Sequence, residues 1–270
     1  MAIDQFQQRQ QKDAEGDFWR KIAGQSPRND FNDTTQGLYI ASASGELFGF
    51  NNNRGPKRIK AMMETALKKH LPPGETPILE GAEVDSRFLT KPPKDASIVR
   101  VHAKVLGGFD EPENRWQAIF QKAVSRDNLW ITAMERAELN QGRFPDALAH
   151  RIARYHLVDN TRGEPSFWKT SEVKVAAFQL GKDGSVRGTV HLERADHSSG
   201  FEANLLGHLA FDGDQFSRFD LVAKGTYWGH GLYTRGAPKG RFPLGVSFRL
   251  ARGDSPFDRI PPQGTKGWWK

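Results

Sequence analysis

Four polar side chains that could move protons or bind anions lie within nine positions of one another. They are His156, Asp159, Arg162 and Glu164, in a segment that follows a predicted helix and precedes a series of predicted strands. A histidine titrates near neutral pH, and a neighbouring carboxylate can orient its ring for proton transfer. An arginine fork can hold a carboxylate or a phosphate group. These four residues are therefore candidate catalytic residues, and a structural arginine–carboxylate network at the helix end is the alternative.

A second polar segment, residues 225–240, combines glycines, aromatic rings and cations. Glycine lets a backbone approach a ligand closely, and Tyr or Trp rings can stack on a flat or sugar-like ligand. Loops of this length are frequently functional. Its candidate ligand-binding residues are Tyr227, Trp228, His230, Tyr233 and Arg235. The alternative is a structured hairpin tip with the rings packed beneath it.

Several kinds of site lack the residues that they require. The chain has no cysteine, which excludes disulfides, thiolate metal sites and cysteine nucleophiles. Its eight histidines include no His-x-x-x-His pair, and no serine lies in a Gly-x-Ser-x-Gly motif. We therefore expect no metal and no bound cofactor.

The positive charge is concentrated in the second half of the chain. Residues 1–150 contain 21 basic and 20 acidic side chains, whereas residues 151–270 contain 18 and 12. A basic region of this kind can attract a small anionic ligand, an anionic surface or nucleic acid. The sequence contains no DNA- or RNA-binding motif, so nucleic acid is not an expected partner.

Composition indicates a folded chain outside the membrane. Hydrophobic residues make up 37% of the sequence, enough for a packed core, and no apolar run approaches the length of a transmembrane helix. Residues 1–7 are polar and lack the apolar region of a signal peptide. The absence of cysteine suits an oxidising compartment, which slightly favours an extracytoplasmic location over the cytoplasm.

The N-terminal region reads as a small α/β unit. A polar helix is predicted over residues 4–23, and two short strands, 37–42 and 46–50, flank a Ser-Gly turn. A further helix begins at Pro56 and runs to about His70, because proline at the first helical position has no amide hydrogen to leave unpaired.

The segment Gln36–Phe50, followed by three asparagines, Arg54 and this helix, resembles the closing hairpin and helix of a thioredoxin-like domain. The resemblance covers residues 36–70. The same segment is similar to uncharacterised bacterial extracytoplasmic proteins. A thioredoxin-like redox site requires a Cys-x-x-Cys motif, which this chain lacks. The resemblance therefore implies a fold for this segment and no thiol chemistry.

The rest of the chain predicts a helical middle followed by strands. An alternating strand covers 97–105, and apolar periodicity predicts helices over 113–124, 128–139 and 145–156. From 172 to 250 the alternation of apolar and polar residues is typical of an antiparallel meander, either an open sheet or a partial barrel. The fold class is therefore α+β, with a domain over residues 1–95 that includes a linker and a second domain over 96–270.

The turns of this meander predict how its strands align. A turn centred between His197 and Ser198, and another at Asp214, would place Arg187, His208 and Asp220 in one row across three strands. Neighbours on one face of a sheet lie about 4.5–5.5 Å apart, so the three side chains would interact. A solvated sheet face is the alternative interpretation.

The function that these features favour is binding of a ligand or a surface through the C-terminal β domain, without a cofactor. The alternative is an enzyme whose site joins His156, Asp159, Arg162 and Glu164 to the loop that carries His230. Convergence of the two polar segments on one pocket would favour a small-ligand or catalytic site.

Overall fold

The computed structural model describes residues 5–52, 55–69, 92–231 and 233–263. The chain divides into two compact units, residues 1–90 and residues 91–270. Within the described ranges, no helix is both long enough and apolar enough to cross a membrane.

The described residues of the N-terminal unit form three helices and one hairpin. The elements are α1 (Gln5–Gln8), α2 (Ala14–Ala23), β1 (Leu38–Ala41), β2 (Leu47–Asn51) and α3 (Pro56–Lys69). The prediction of one continuous helix over residues 4–23 is wrong, because Asp13 adopts an extended backbone and caps α2 by accepting a hydrogen bond from the Gly16 amide at 2.9 Å. A side chain at the N-cap stabilises a new helix start and so separates α2 from α1.

The predicted hairpin and the helix that follows it are both present. β1 and β2 pair antiparallel, and Tyr39 lies between Trp19 and Phe50 with ring centroids 4.8 and 4.9 Å away. These edge-on aromatic contacts form a small core for the unit. Residues 53, 54 and 70 of the segment compared with thioredoxin-like domains lie outside the described residues, and that likeness stays a prediction.

The C-terminal unit is a seven-stranded antiparallel sheet with helices packed on it. The strands have the order β4-β3-β9-β8-β7-β6-β5, and the sheet curls into half of a barrel. The elements in chain order are β3 (Ser97–Val105), α4 (Arg115–Gln121), β4 (Asp127–Ile131), α5 (Ala133–Asn140), α6 (Asp146–Arg151), a π-helical turn (Ile152–His156), β5 (Val173–Leu180), β6 (Ser185–Glu193), β7 (Gly200–Asp212), β8 (Gln215–Trp228) and β9 (Arg241–Leu250). This architecture confirms the predicted α+β class and the C-terminal antiparallel meander.

The helix predicted over 128–139 is partly wrong. Its first residues form β4, which pairs antiparallel with β3 and places Leu129 and Ile131 in the core with no exposed surface. The helix α5 begins only after Thr132, whose side chain and that of Glu135 form a reciprocal capping box. Pairing with the free edge of β3 therefore outweighs the helical periodicity of the first turn.

The concave face of the sheet holds the core. Apolar side chains alternate along every long strand, and the inward-facing ones are buried with Trp168 and with the helical residues Leu148 and Ile152. Both edge strands, β4 and β5, contact the π-helical turn. The helical segment therefore lies across the gap between the two edges of the half-barrel, and the chain that leaves it runs towards the strand ends.

The predicted row across β6, β7 and β8 is half correct. His208 pairs with Asp220 as expected, whereas Arg187 pairs with Leu206 and not with His208. The loop after β6 is centred one position earlier than expected, because His197 adopts a left-handed conformation with φ of 57°. This change shifts the register by two residues, so every side chain keeps its face of the sheet.

Candidate functional site

The two polar segments of the C-terminal unit pack directly against each other. A Cβ atom added to Gly163 would lie 2.0 Å from the main-chain oxygen of Tyr233. A Cβ atom added to Gly231 would lie 3.4 Å from the amide nitrogen of Ser166. Glycine at position 163 therefore permits a backbone approach that any other residue would block. The loop after the π-helical turn and the loop after β8 converge.

A cavity of about 270 Å³ opens where these loops meet. It is lined by Arg162 from the first loop, Tyr233 and Arg235 from the second, and Phe120 from α4. Two arginines and two aromatic residues thus line one cavity. Convergent cations with apolar walls form the usual chemical environment of a site for a small anion.

Arg162 is held by its own loop. Its side chain is 2% exposed and forms an ion pair with Asp159, which is equally buried, while its Nη1 donates to Thr161 Oγ1 at 3.0 Å. Thr161 in turn donates its hydroxyl to Asp159 Oδ1 at 2.7 Å. The Nε–H of Arg162 finds no acceptor among the described residues. Buried donors are almost always paired, so an unpaired buried Nε–H is unusual.

Tyr227 lies beneath this loop and belongs to the core. Its ring contacts those of Trp168, Phe201 and Phe242, with centroids 5.5 to 6.2 Å away. Burial raises the pKa of Tyr227 to about 12, and the negative charge of Asp159 adds to the rise. The phenol therefore stays neutral at physiological pH. Its ring supports the loop and does not line the cavity described above.

Trp228 and His230 line a second cavity, of about 500 Å³, together with Lys239 and Arg241. The Trp228 ring is covered on one side by Arg241, whose guanidinium lies 4.0 Å from the ring centroid. On another side it approaches Gly200 so closely that a Cβ there would lie 2.1 Å from the ring. Trp228 is only 9% exposed, so it offers little free ring surface for stacking on a ligand.

The cations of the two cavities differ in their partners. In the second cavity, Lys239 pairs with Asp110 at 3.0 Å and Arg241 pairs with Glu202 at 3.1 Å. Arg235, in the first cavity, is exposed and forms no ion pair with any residue that the structure describes. The uncompensated positive charge is therefore in the first cavity.

His156 lies elsewhere, inside the half-barrel. Its Nδ1 is 2.9 Å from Asp127 Oδ2, with both side chains at most 3% exposed, and its ring packs edge-on against Phe248. Asp127 also accepts from the amides of Asn128 and Gln263, at 2.8 and 3.0 Å. The Nε2 atom is buried without a hydrogen-bond partner among described residues. The pair resembles an oriented acid–base dyad but lines neither cavity.

Three further residues bear on the site: Glu164, which was predicted, and Phe120 and Asp127, which were not. Glu164 is exposed and makes no hydrogen bond to the described part of the chain. Phe120 lines the cavity but was not among the predicted site residues. Asp127 was not predicted either, because nothing in the local sequence links it to His156. Within the described residues, no group of three or more His, Asp or Glu side chains could hold a metal ion.

Comparisons of the chain with protein-family models, with curated proteins and with solved structures found no match.

Proposed function

We propose that the C-terminal β domain binds a small anionic ligand, without a cofactor, in the cavity between its two polar loops. One observation carries the proposal: Arg162 and Arg235, from loops more than seventy positions apart, line the same cavity with Phe120 and Tyr233. A guanidinium group binds carboxylates and phosphates with paired hydrogen bonds, and aromatic walls exclude water from them.

The charge balance of the cavity favours a ligand with a single negative charge. Asp159 neutralises Arg162, so that arginine contributes no free charge. Arg235 contributes the unpaired positive charge. A carboxylate bound by Arg235 would leave the site neutral, whereas a more highly charged ligand would leave excess negative charge near Asp159.

The size of the cavity supports the same conclusion. Its volume of about 270 Å³ is at the lower end of ligand sites, and Tyr233 on its rim is 66% exposed. Such a site encloses the charged group of a ligand and leaves the remainder outside. Weak binding with rapid exchange is expected for the charged group alone.

The catalytic alternative has less support. A general base must come within hydrogen-bonding distance of the proton that it removes. The His156–Asp127 pair has the chemistry for this role, but both side chains are buried and neither lines the cavity. Binding requires no rearrangement of these residues, and it is therefore the function that we propose.

The experiment is a titration of the protein with butanoate at low ionic strength, measured by isothermal titration calorimetry. Arg235→Gln should weaken binding at least tenfold, because it removes the uncompensated charge, and should leave the melting temperature unchanged since the side chain is exposed. Arg218→Gln is the matched control, an exposed arginine on the convex face of β8 that pairs with Asp220. If the Arg235→Gln and Arg218→Gln variants bind butanoate with equal affinity, the proposal is contradicted.

A further inference from the structure

The helix α4 presents its apolar side chains to solvent. Trp116 and Phe120 are 60% and 47% exposed, and the helix contains no buried residue. Residues four apart lie on the same side of a helix, so these two side chains form an apolar stripe. Exposed aromatic and aliphatic groups in a continuous row mark surfaces that bind an apolar partner.

Polar contacts hold this helix in place without using the stripe. Asn114 caps the N-terminus by accepting from the amides of Trp116 and Gln117, both at 3.0 Å. Gln121, at the other end, donates to the main-chain oxygen of Asp110 at 2.9 Å. The orientation of α4 is therefore fixed by its ends, and the apolar stripe is left available.

The stripe is continuous with the proposed anion site. Phe120 belongs to the stripe and also lines the cavity that contains Arg162 and Arg235. Trp116 lies one turn away, about 6 Å along the helix axis. An apolar group attached to an anion in the cavity would therefore leave it directly over these rings.

We infer that the ligand is a single-chain anionic amphiphile, with its carboxylate in the cavity and its alkyl chain along the stripe of Trp116 and Phe120. This inference rests on the function proposed above. The size of the cavity favours a free amphiphile over a bilayer surface, because a volume of about 270 Å³ accommodates one head group.

The test compares carboxylates of increasing chain length on the full-length protein. Complete removal of one methylene from water strengthens binding about fourfold, and a chain lying on an open surface is about half removed, which gives about twofold per methylene. Octanoate should therefore bind about 16-fold more tightly than butanoate. Concentrations are kept below those at which micelles form.

Two variants test whether the gain in affinity from butanoate to octanoate comes from contact with the stripe. Trp116→Ala should weaken octanoate binding several-fold while leaving butanoate affinity unchanged, because only the longer chain reaches this ring. Leu206→Ala is the matched control, since Leu206 is 62% exposed on the convex face of β7. It should bind both carboxylates as the unchanged protein does.

Each result has a distinct meaning. Butanoate and octanoate binding with equal affinity would overturn the amphiphile and leave the anion site standing. Failure of every carboxylate to bind would overturn both. Equal affinity for a decyltrimethylammonium ion would show that the head group need not be anionic, and this too would overturn the inference. Capture by phosphatidylglycerol vesicles that depends on Trp116, without octanoate binding, would replace the amphiphile with a membrane.

Discussion

A buried carboxylate on the convex side of the sheet provides a sensitive test of how the C-terminal unit is held together. Asp258 is 2% exposed and accepts hydrogen bonds from Arg100 at 2.9 and 2.8 Å and from Arg126 at 2.7 Å. It thereby ties the segment after β9 to β3 and to the residue before β4. The perturbation is Asp258→Asn, which keeps the shape of the side chain and removes its charge.

The size of the effect follows from what remains after the substitution. Breaking a buried ion pair costs about 3–5 kcal/mol, because the partner charge is left unpaired in the interior. Arg100 and Arg126 are 21% and 30% exposed, so water can rehydrate them in part. Asparagine also keeps one acceptor, and we therefore expect a loss of about 2 kcal/mol in the free energy of unfolding. In a unit of this size, that loss lowers the melting temperature by about 4–8 °C.

The effect should depend on pH in a defined direction. Hydrogen bonds from Arg100, together with the charge of that residue and of Arg126, hold the pKa of Asp258 below its ordinary value of 3.8. A lowered carboxyl pKa contributes stability that is present above the unfolded pKa and is lost as the pH falls through the folded pKa. The melting temperatures of the original protein and of Asp258→Asn should therefore differ at neutral pH and begin to converge only as the pH falls below about 3.8, towards the lowered pKa of the folded state.

The assay is thermal unfolding followed by circular dichroism between pH 3 and pH 7. Asp254→Asn is the control, because Asp254 also pairs with Arg100 but is 63% exposed. Its substitution should change the melting temperature by no more than about 1 °C. An equal effect of the two substitutions, or a difference for Asp258→Asn that is as large at pH 3 as at pH 7, would refute the argument from burial.

Three further predictions concern the core and the sheet. Gly225→Ala should destabilise the unit by about 3 kcal/mol in urea denaturation, because the added Cβ would lie 1.9 Å from the main-chain oxygen of Glu202. Glu135→Ala should cost about 3 kcal/mol in the same assay, since it removes both a capping box and the buried contacts of 2.6 and 2.8 Å to its arginine partner. His156→Leu should lower stability by about 2 kcal/mol by leaving Asp127 without its side-chain partner. The same variant should keep its butanoate affinity within twofold, and a larger loss would restore the catalytic alternative.

The sequence is sufficient to predict most elements, because alternation and helical periodicity are local properties. The long strands of the meander and the hairpin of the N-terminal unit follow directly from them. β4 was missed because its five residues also fit a helix, and only pairing with β3 decides between the two. The Thr132–Glu135 capping box was the available signal for where α5 begins.

The site was predictable only in part, for a similar reason. Arg162, Tyr233 and Arg235 were identified because they lie in polar loops that flank the meander. Phe120 was not, because an amphipathic pattern shows that a helix has an apolar face but not whether anything covers that face. The partner of His156 is 29 positions away on an edge strand, and no local pattern links the two.

The most direct test of the proposed site is the nuclear magnetic resonance signal of the Arg235 Nε–H group, assigned with an Arg235→Lys variant. If a carboxylate binds this exposed guanidinium, the signal should shift saturably as butanoate is added, and its exchange with water should slow. The Arg162 signal should follow the same binding curve, since both residues line the cavity. An Arg235 signal that stays unchanged at butanoate concentrations that saturate the protein in calorimetry would contradict the account.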